Sequence, residues 1–536
     1  MRSAAFARLT ALRTVAILAV LGLASCSPDW PTFRHNGLRT GNQLNHGPLT
    51  DPAKVATLAI GWTFPDAAGV TLTPPPGPFR ASPIVYRNVV YIGNSNGYFY
   101  AINATDGTLR WQYPLAGSPA LTSTYTCNPS SEGVASSAVL TRINGTDAVI
   151  FGAPDRSIGA GLGSGRLFAL NAQTGVEIWK SPEVAVLLND GVTHEQIGYS
   201  SPLLLNDHVY VGIADHCDSP IQRGKVIAVR LADGTLDAGF SFVSSGPPRG
   251  GGVWGSVAAW QDALYITTGN ANIGGPEPVP NHALSLLRLD PNTGAIVWQW
   301  QPVPYALDDD PDWSATPSVM LASCGILAVS TQKDGWTWAV NAGDGTPGPA
   351  SVRWAFPPGP WSTSGFTPGD GTMHNDTRYL RPGAAWDDVY ITQTGGLNVT
   401  TDVNDGFRHL YALNACASEA ERIRWITDVP DSSGFAYSLG PPTVTHGVIF
   451  VGTDLGHLVV IGDPSITPVA GWRCTHPDIP TANCVAQGFT LVPEPTVLAN
   501  IDLHAGAITT EPALVGDPVY VSTEGGKVFM LKPRDP

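Results

Sequence analysis

The chain has 536 residues, 59 of them Gly and 47 Pro, and only 14% are charged. That composition reads as turn-rich and mostly β, and 536 residues hold either several ordinary domains or one large repeat domain. The formal net charge of −15 disfavours nucleic acid and anionic membrane surfaces as partners.

The chain opens on an export signal. Arg2, Arg8 and Arg13 form its basic region, and Val15 to Leu23 is an apolar run too short for a spanning helix. Leu23-Ala24-Ser25-Cys26 resembles a bacterial lipobox, which makes Cys26 the expected acylated first residue of the mature protein. The only membrane contact expected is then this lipid anchor, in the periplasm or on the outer cell surface. Loss of residues 1–25 removes three Arg and no acid, so the net charge moves from −15 to −18. Residues 26–52 read as a leader and 53–536 as one repeat domain.

The first clear repeat runs Ala81-Ser82-Pro83, Val89-Val90-Tyr91-Ile92-Gly93, Tyr98 to Asn103, then Asp106-Gly107 into Leu109-Arg110-Trp111. These are short β-branched or aromatic runs, with a Gly turn into a fourth strand closed by Trp. The second strand recurs at 89–93, 148–152, 208–212, 263–268, 326–330, 388–392, 448–452 and 518–522. Closing Trp residues stand at 111, 179, 298, 354 and 425, with Trp472 expected in the seventh repeat. The third repeat has none, and Phe240 or Phe242 is the expected substitute. A four-strand unit of this kind cannot bury its own faces and must stack on copies of itself. The eighth repeat ends at Met530-Leu531-Lys532 without a fourth strand, while Leu58 to Phe64 carries the same Trp pattern. The predicted fold is therefore an all-β, eight-bladed β-propeller of four-stranded antiparallel blades, its last blade closed by an N-terminal strand. Segments 116–131, 359–378 and 473–506 read as insertions.

Six Cys follow Cys26, an even number that suggests disulfides in an exported protein. Cys474–Cys484 is the local pair; the pairing of Cys127, Cys217, Cys324 and Cys416 is left open by spacing. There is no Cys-x-x-Cys-His, so covalent haem is not expected.

These repeats resemble the pyrroloquinoline quinone (PQQ) repeat of quinoprotein alcohol dehydrogenase-like propellers, and Asp29 to Asn36 is similar to the leader that precedes their ring. The resemblance implies PQQ and calcium as cofactors and an alcohol as substrate. Gly252-Val253-Trp254-Gly255-Ser256 looks like the segment whose Trp stacks on the quinone. Thr268-Gly269-Asn270 is similar to the family's calcium-ligating turn, which implies Asn270 as a ligand. Thr331 to Gly335 resembles the segment whose basic residue reaches the quinone oxygens, which implies Lys333 as cofactor-binding and catalytic. The family's calcium Glu is missing from Ala214 to Gly224; Asp218 or Asp215 is the expected substitute. The family's base Asp is missing just after Asn270, where His282 is the available proton acceptor. The acidic run Asp308 to Asp312 resembles a family segment with paired acids but reads as a solvated loop. Cys127 and Cys217 fall near one channel mouth on this reading. A second reading is a non-catalytic ring binding envelope proteins, as the lipoprotein of the barrel-assembly machinery does.

Overall fold

The computed structural model describes residues 29–534, apart from 44–46, 126–130, 159–160, 191–192, 217–219, 245–249, 272–281, 303–311, 314, 333–335, 344–351, 357–382, 386, 395–407, 419–420, 434–438, 465–471, 474–491 and 494. Eight antiparallel sheets follow one another along the chain and form the blades of a propeller. Blade 1 is Ile84–Tyr86, Val89–Gly93, Phe99–Asn103 and Leu109–Tyr113, in that spatial order. The innermost strands of blades 3 to 7 touch their neighbours in sequence, which sets them around the axis.

The eighth blade closes as predicted. Val528–Pro533 pairs with Leu58–Phe64, so the N-terminal strand becomes the outermost strand of the last blade. Closure removes the exposed edge that an unpaired last strand would leave.

The closing Trp residues join blades. Trp62, Trp111, Trp179 and Trp354 donate their indole N–H to Ala104, Ala172, Leu231 and Ala415, each a carbonyl of the next blade, at 2.9–3.1 Å. The ring lies on the Gly turn of that blade: a Cβ on Gly175 would stand 2.7 Å from the Trp111 ring. In blade 3, Phe240 takes the place of the Trp, its ring 5.3 Å from Tyr210. Blade 7 departs from expectation. Its fourth strand is Thr496–Asp502, which the sequence placed inside an insertion, and Ala499 occupies the Trp position opposite Val460. Trp472 lies instead in a two-residue ribbon with Pro493. The Thr496–Asp502 run lacks the Trp that marks the fourth strand in most other blades.

Around the axis, hydroxyls form a belt. Ser137, Ser201, Ser256 and Thr316 each accept, through the side-chain oxygen, the backbone N–H of the equivalent residue one blade earlier (Ser82, Ser137, Ser201 and Ser256), at 2.8–3.0 Å. Three residues further along the innermost strands, the leader crosses the axis. Val85, Leu140, Ala259 and Val319 bond to Trp30, Pro31, Gly37 and Leu38, and Val444 bonds to Gly41. The leader thus closes the end of the channel opposite the segments that precede the belt. Trp30, Phe33, Arg34 and Arg39 are fully buried there. Arg39 donates to Phe33 O, Thr32 Oγ1, Val257 O, Ser201 O and Pro202 O at 2.8–3.5 Å.

A disulfide joins Cys324 in the first hairpin of blade 5 to Cys416 in the last turn of blade 6. Cys474 and Cys484, the pair favoured by spacing, lie outside the described residues, as do Cys127 and Cys217. No helix among the described residues is long and apolar enough to cross a membrane.

Candidate active site at the mouth of the ring

The end of the ring away from the leader is bordered by the connections that precede the belt. Trp254 stands two residues before Ser256, the position held by Arg80 before Ser82 and Tyr199 before Ser201. Repeat geometry therefore brings these side chains to one rim.

Trp254 is half-buried, and its approach is made by backbones packed at glycine distance. Gly251 N–H donates to Asn270 O at 2.7 Å, and Gly269 N–H to Gly252 O at 2.8 Å. The turn Thr268-Gly269-Asn270 is thereby pinned against the Trp254 segment. A Cβ on Gly269 would lie 2.6 Å from Asp312 Oδ1 and 3.2 Å from Trp254 Nε1. Only a residue without a side chain leaves room for the indole and the acid together.

Asp312 is the residue that sequence reasoning passed over. The acidic run read as a solvated loop, yet Asp312 is 5% exposed and its Oδ1 accepts the backbone N–H of Asn270. Its signal was available: it precedes the belt residue Thr316 by four, the interval between Gly252 and Ser256.

Asp215 is half-buried. Its Oδ2 accepts Gln222 N–H at 2.8 Å and lies 3.8 Å from where a Cβ on Gly252 would stand. It therefore borders the Trp254 segment from blade 3. His282 has a positive φ of 83°, and its carbonyl oxygen lies 3.1 Å from where a Cβ on Gly251 would stand. Its ring lies 6.3 Å from Phe242, on the outermost strand of blade 3. Burial lowers its pKa below the usual imidazole value. Lys333 and Asp218 lie outside the described residues. The structure thus brings together Trp254, Asn270 and Asp312, with Asp215 at their edge.

A second acid at this mouth gave no signal in the sequence. Glu132, in the connection into blade 2, is 1% exposed. Burial pushes its pKa up to about 7, opposed by Arg80 and the Tyr199 hydroxyl. The folded protein therefore holds this proton more tightly than the unfolded chain. Its contribution to stability is full below the ordinary glutamate value of 4.5 and is lost as pH rises through about 7. Glu132→Gln is expected to flatten the decline of the thermal midpoint across that window, measured by melts from about pH 4.5 to about pH 8.

A family model described as the glucose/ethanol/alcohol dehydrogenase β-propeller domain matches residues 39–348, more than half of the sequence. The chain belongs to that family. The Pseudomonas putida quinohemoprotein alcohol dehydrogenase ADH IIB is 24% identical over 387 residues, covering 63% of this chain and 51% of that protein. The polyvinylalcohol dehydrogenase of Sphingopyxis sp. (strain 113P3) is 22% identical over 304 residues, 52% of this chain and 40% of that protein. The chain's matches thus span about half or less of these relatives. Among solved structures, a europium-containing methanol dehydrogenase superposes with a TM-score of 0.64 at 15% identity, covering 96% of this chain and all of that one. The quinohemoprotein alcohol dehydrogenase of Comamonas testosteroni gives 0.61 at 16% identity, over 95% and 82%. At such identities the likeness is one of fold.

The mouth fits a flat, oxygen-rich cofactor of the PQQ kind. Trp254 offers an indole face, and Gly269 packs between it and Asp312. Oxygen atoms of Asn270, Asp215 and Asp312 are the hard donors that calcium takes. Among the described residues no three His, Cys, Asp or Glu converge as a metal cage, so a calcium ion here would draw on Asn270 and on carbonyls as well as on acids.

Proposed function

We propose that this protein is an exported oxidoreductase that oxidises an alcohol using bound PQQ, with calcium beside it. The observation that supports this reading is the convergence of Trp254, Asn270 and Asp312 about Gly269. When bound, PQQ with calcium would supply an electrophilic carbonyl able to accept a hydride, the carbon-bound hydrogen with its two electrons, from the alcohol carbon. The residues of this chain do the rest. Trp254 holds the ring plane, Asn270 and Asp215 present oxygens to the ion, and Lys333 supplies a cation for developing negative charge. Asp312 takes the hydroxyl proton on its carboxylate, which the Asn270 amide holds in place. Asp312 suits this role better than His282, whose ring lies by the outermost strand of blade 3. The leader closes the far end of the channel, so substrate enters at the mouth. Export and anchoring at Cys26 rest on the lipobox-like Leu23 to Cys26.

Calorimetric titration of PQQ into the protein lacking residues 1–26 tests the site. The expected result is calcium-dependent binding that weakens at least about tenfold in Trp254→Ala, the loss of one stacking face. Absence of binding at high micromolar PQQ would contradict the proposal and leave the ring as a scaffold for envelope proteins.

A further inference from the structure

The leader enters the ring on its closed face, and the entry point is fixed. Trp30 is fully buried and exchanges both backbone hydrogen bonds with Val85, at 2.8 and 3.0 Å. Asp29 Oδ1 accepts the N–H of Arg87 at 3.0 Å, in the hairpin that joins the two innermost strands of blade 1. A recess of about 310 Å³ opens beside that hairpin, between blades 1 and 2. Arg87, Arg142, Asp147, Asn171 and Gln173 line it. The alcohol chemistry does not use it, because it lies on the face opposite the mouth.

Its charges are arranged for an anion. Arg87 Nη1 lies 2.6 Å from Asp147 Oδ2, and Arg142 Nε lies 3.2 Å from Asp147 Oδ1. One carboxylate thus holds two guanidinium groups, and one positive charge is left over. Asp29, the other acid at this hairpin, does not line the recess. Arg142 Nη2 also donates to Gly145 O at 2.9 Å, and the Arg87 guanidinium lies 5.1 Å from the Tyr86 ring centre. These contacts order two side chains that stay 60% and 62% exposed, over an Asp147 that is 9% exposed. Each guanidinium carries more N–H groups than these contacts use, and its fork fits the oxygens of a phosphate group. The single leftover charge matches the single negative charge of a phosphodiester.

The position of the recess says where a phosphodiester comes from. The equivalent hairpins of blades 3, 4 and 8 present exposed acids instead, Asp207, Asp262 and Asp517. A chain of net charge −15 repels polyanions and anionic surfaces, so the occupant is a single group held close by a tether, which raises its effective concentration. Cys26 stands three residues before Asp29, and three residues span at most about 11 Å. We infer that Arg87 and Arg142 clamp the phosphodiester of a lipid headgroup in the membrane that holds the Cys26 anchor. The ring then sits with its closed face to the bilayer and its mouth turned away. The membrane as the source rests on the anchoring proposal; the fit of the recess to a phosphodiester does not.

The test replaces residues 1–26 with a hexahistidine tag and captures the protein on vesicles through a nickel-chelating lipid. Residence in imidazole is compared on dioleoylphosphatidylcholine and on digalactosyldiacylglycerol, both of zero net charge, of which only the first carries phosphate. Residence is expected to be about fivefold longer on the phosphate lipid, the upper range for exposed ion pairs. Arg87→Gln and Arg142→Gln should each remove most of that difference, and each leaves Asp147 one guanidinium partner, so the fold is kept. Lys180→Gln, the same charge change on the outermost strand of blade 2, should leave the difference intact. Equal residence of the wild type on the two lipids, or a difference that survives both arginine variants, would overturn the inference. So would a difference abolished by millimolar inorganic phosphate, which would make the free ion the occupant. Mass spectrometry that finds no acyl group on Cys26 of the exported protein would count against the anchoring reading alone, because the tag supplies the tether in these measurements.

Discussion

Asp312→Asn is expected to lower alcohol turnover by the PQQ-loaded protein about 10²–10⁴-fold, the range of a lost general base, while PQQ affinity stays within about twofold. The substitution is nearly isosteric. Its side-chain oxygen still accepts the Asn270 N–H that holds Asp312 now, so the turn at Gly269 and the placement of Trp254 persist. What disappears is the capacity to take a proton. Dye-linked assays with a secondary alcohol, together with PQQ calorimetry on the same preparation, separate the two effects. An Asp312→Asn variant that turns over at about a tenth of the wild-type rate or more would move the base elsewhere, with His282 the next group to test.

The second large effect concerns the closed end of the channel. Arg39→Ala is expected to destabilise the ring by at least about 3 kcal/mol, because each buried acceptor left without its donor costs about 1–3 kcal/mol. Arg39 is fully buried and draws carbonyls from the leader, from Ser201 and Pro202 before blade 3, and from Val257 before blade 4. It therefore ties three stretches of chain together at the axis. The leader also pairs by backbone with the innermost strands of blades 1, 2, 4, 5 and 7. Arg39→Lys should recover only part of the loss, since one ammonium cannot reach the same fan of acceptors. Urea denaturation followed by Trp fluorescence measures this. A midpoint unchanged in Arg39→Ala would mean that the leader rests on the ring without holding it.

The architecture was legible because its signals are local and repeated. Trp111, Asp106-Gly107 and the runs before them form one unit, and Trp62, with no strands of its own repeat before it, showed which strand was spare. Blade 7 escaped because Ala499 stands where the other blades place an aromatic ring, so Thr496–Asp502 lost its marker. The leader's role was illegible for a different reason. Nothing in Asp29 to Asn42 is periodic, and its partners lie up to hundreds of residues away, as Arg39 to Val257 shows.

The site divided along the same line. Trp254 and Asn270 sit in short motifs, and both fall at the mouth. Asp312 lies in an acidic run, a composition that ordinarily marks solvent, and only its interval from the Thr316 belt hydroxyl reveals that it turns inward. Glu132 has no motif at all. It is singled out by being buried and close to His216, a residue of a different blade.

The central claim is that the mouth beside Trp254 holds PQQ and passes electrons from an alcohol to it. The most direct measurement is the absorbance of the protein loaded with PQQ and calcium, mixed with a secondary alcohol in the absence of any other electron acceptor. The account predicts a single turnover in the wild type, seen as bleaching of the oxidised quinone, with the bleaching slowed at least about a hundredfold in Asp312→Asn. Bound quinone that stays oxidised in the wild type would contradict it.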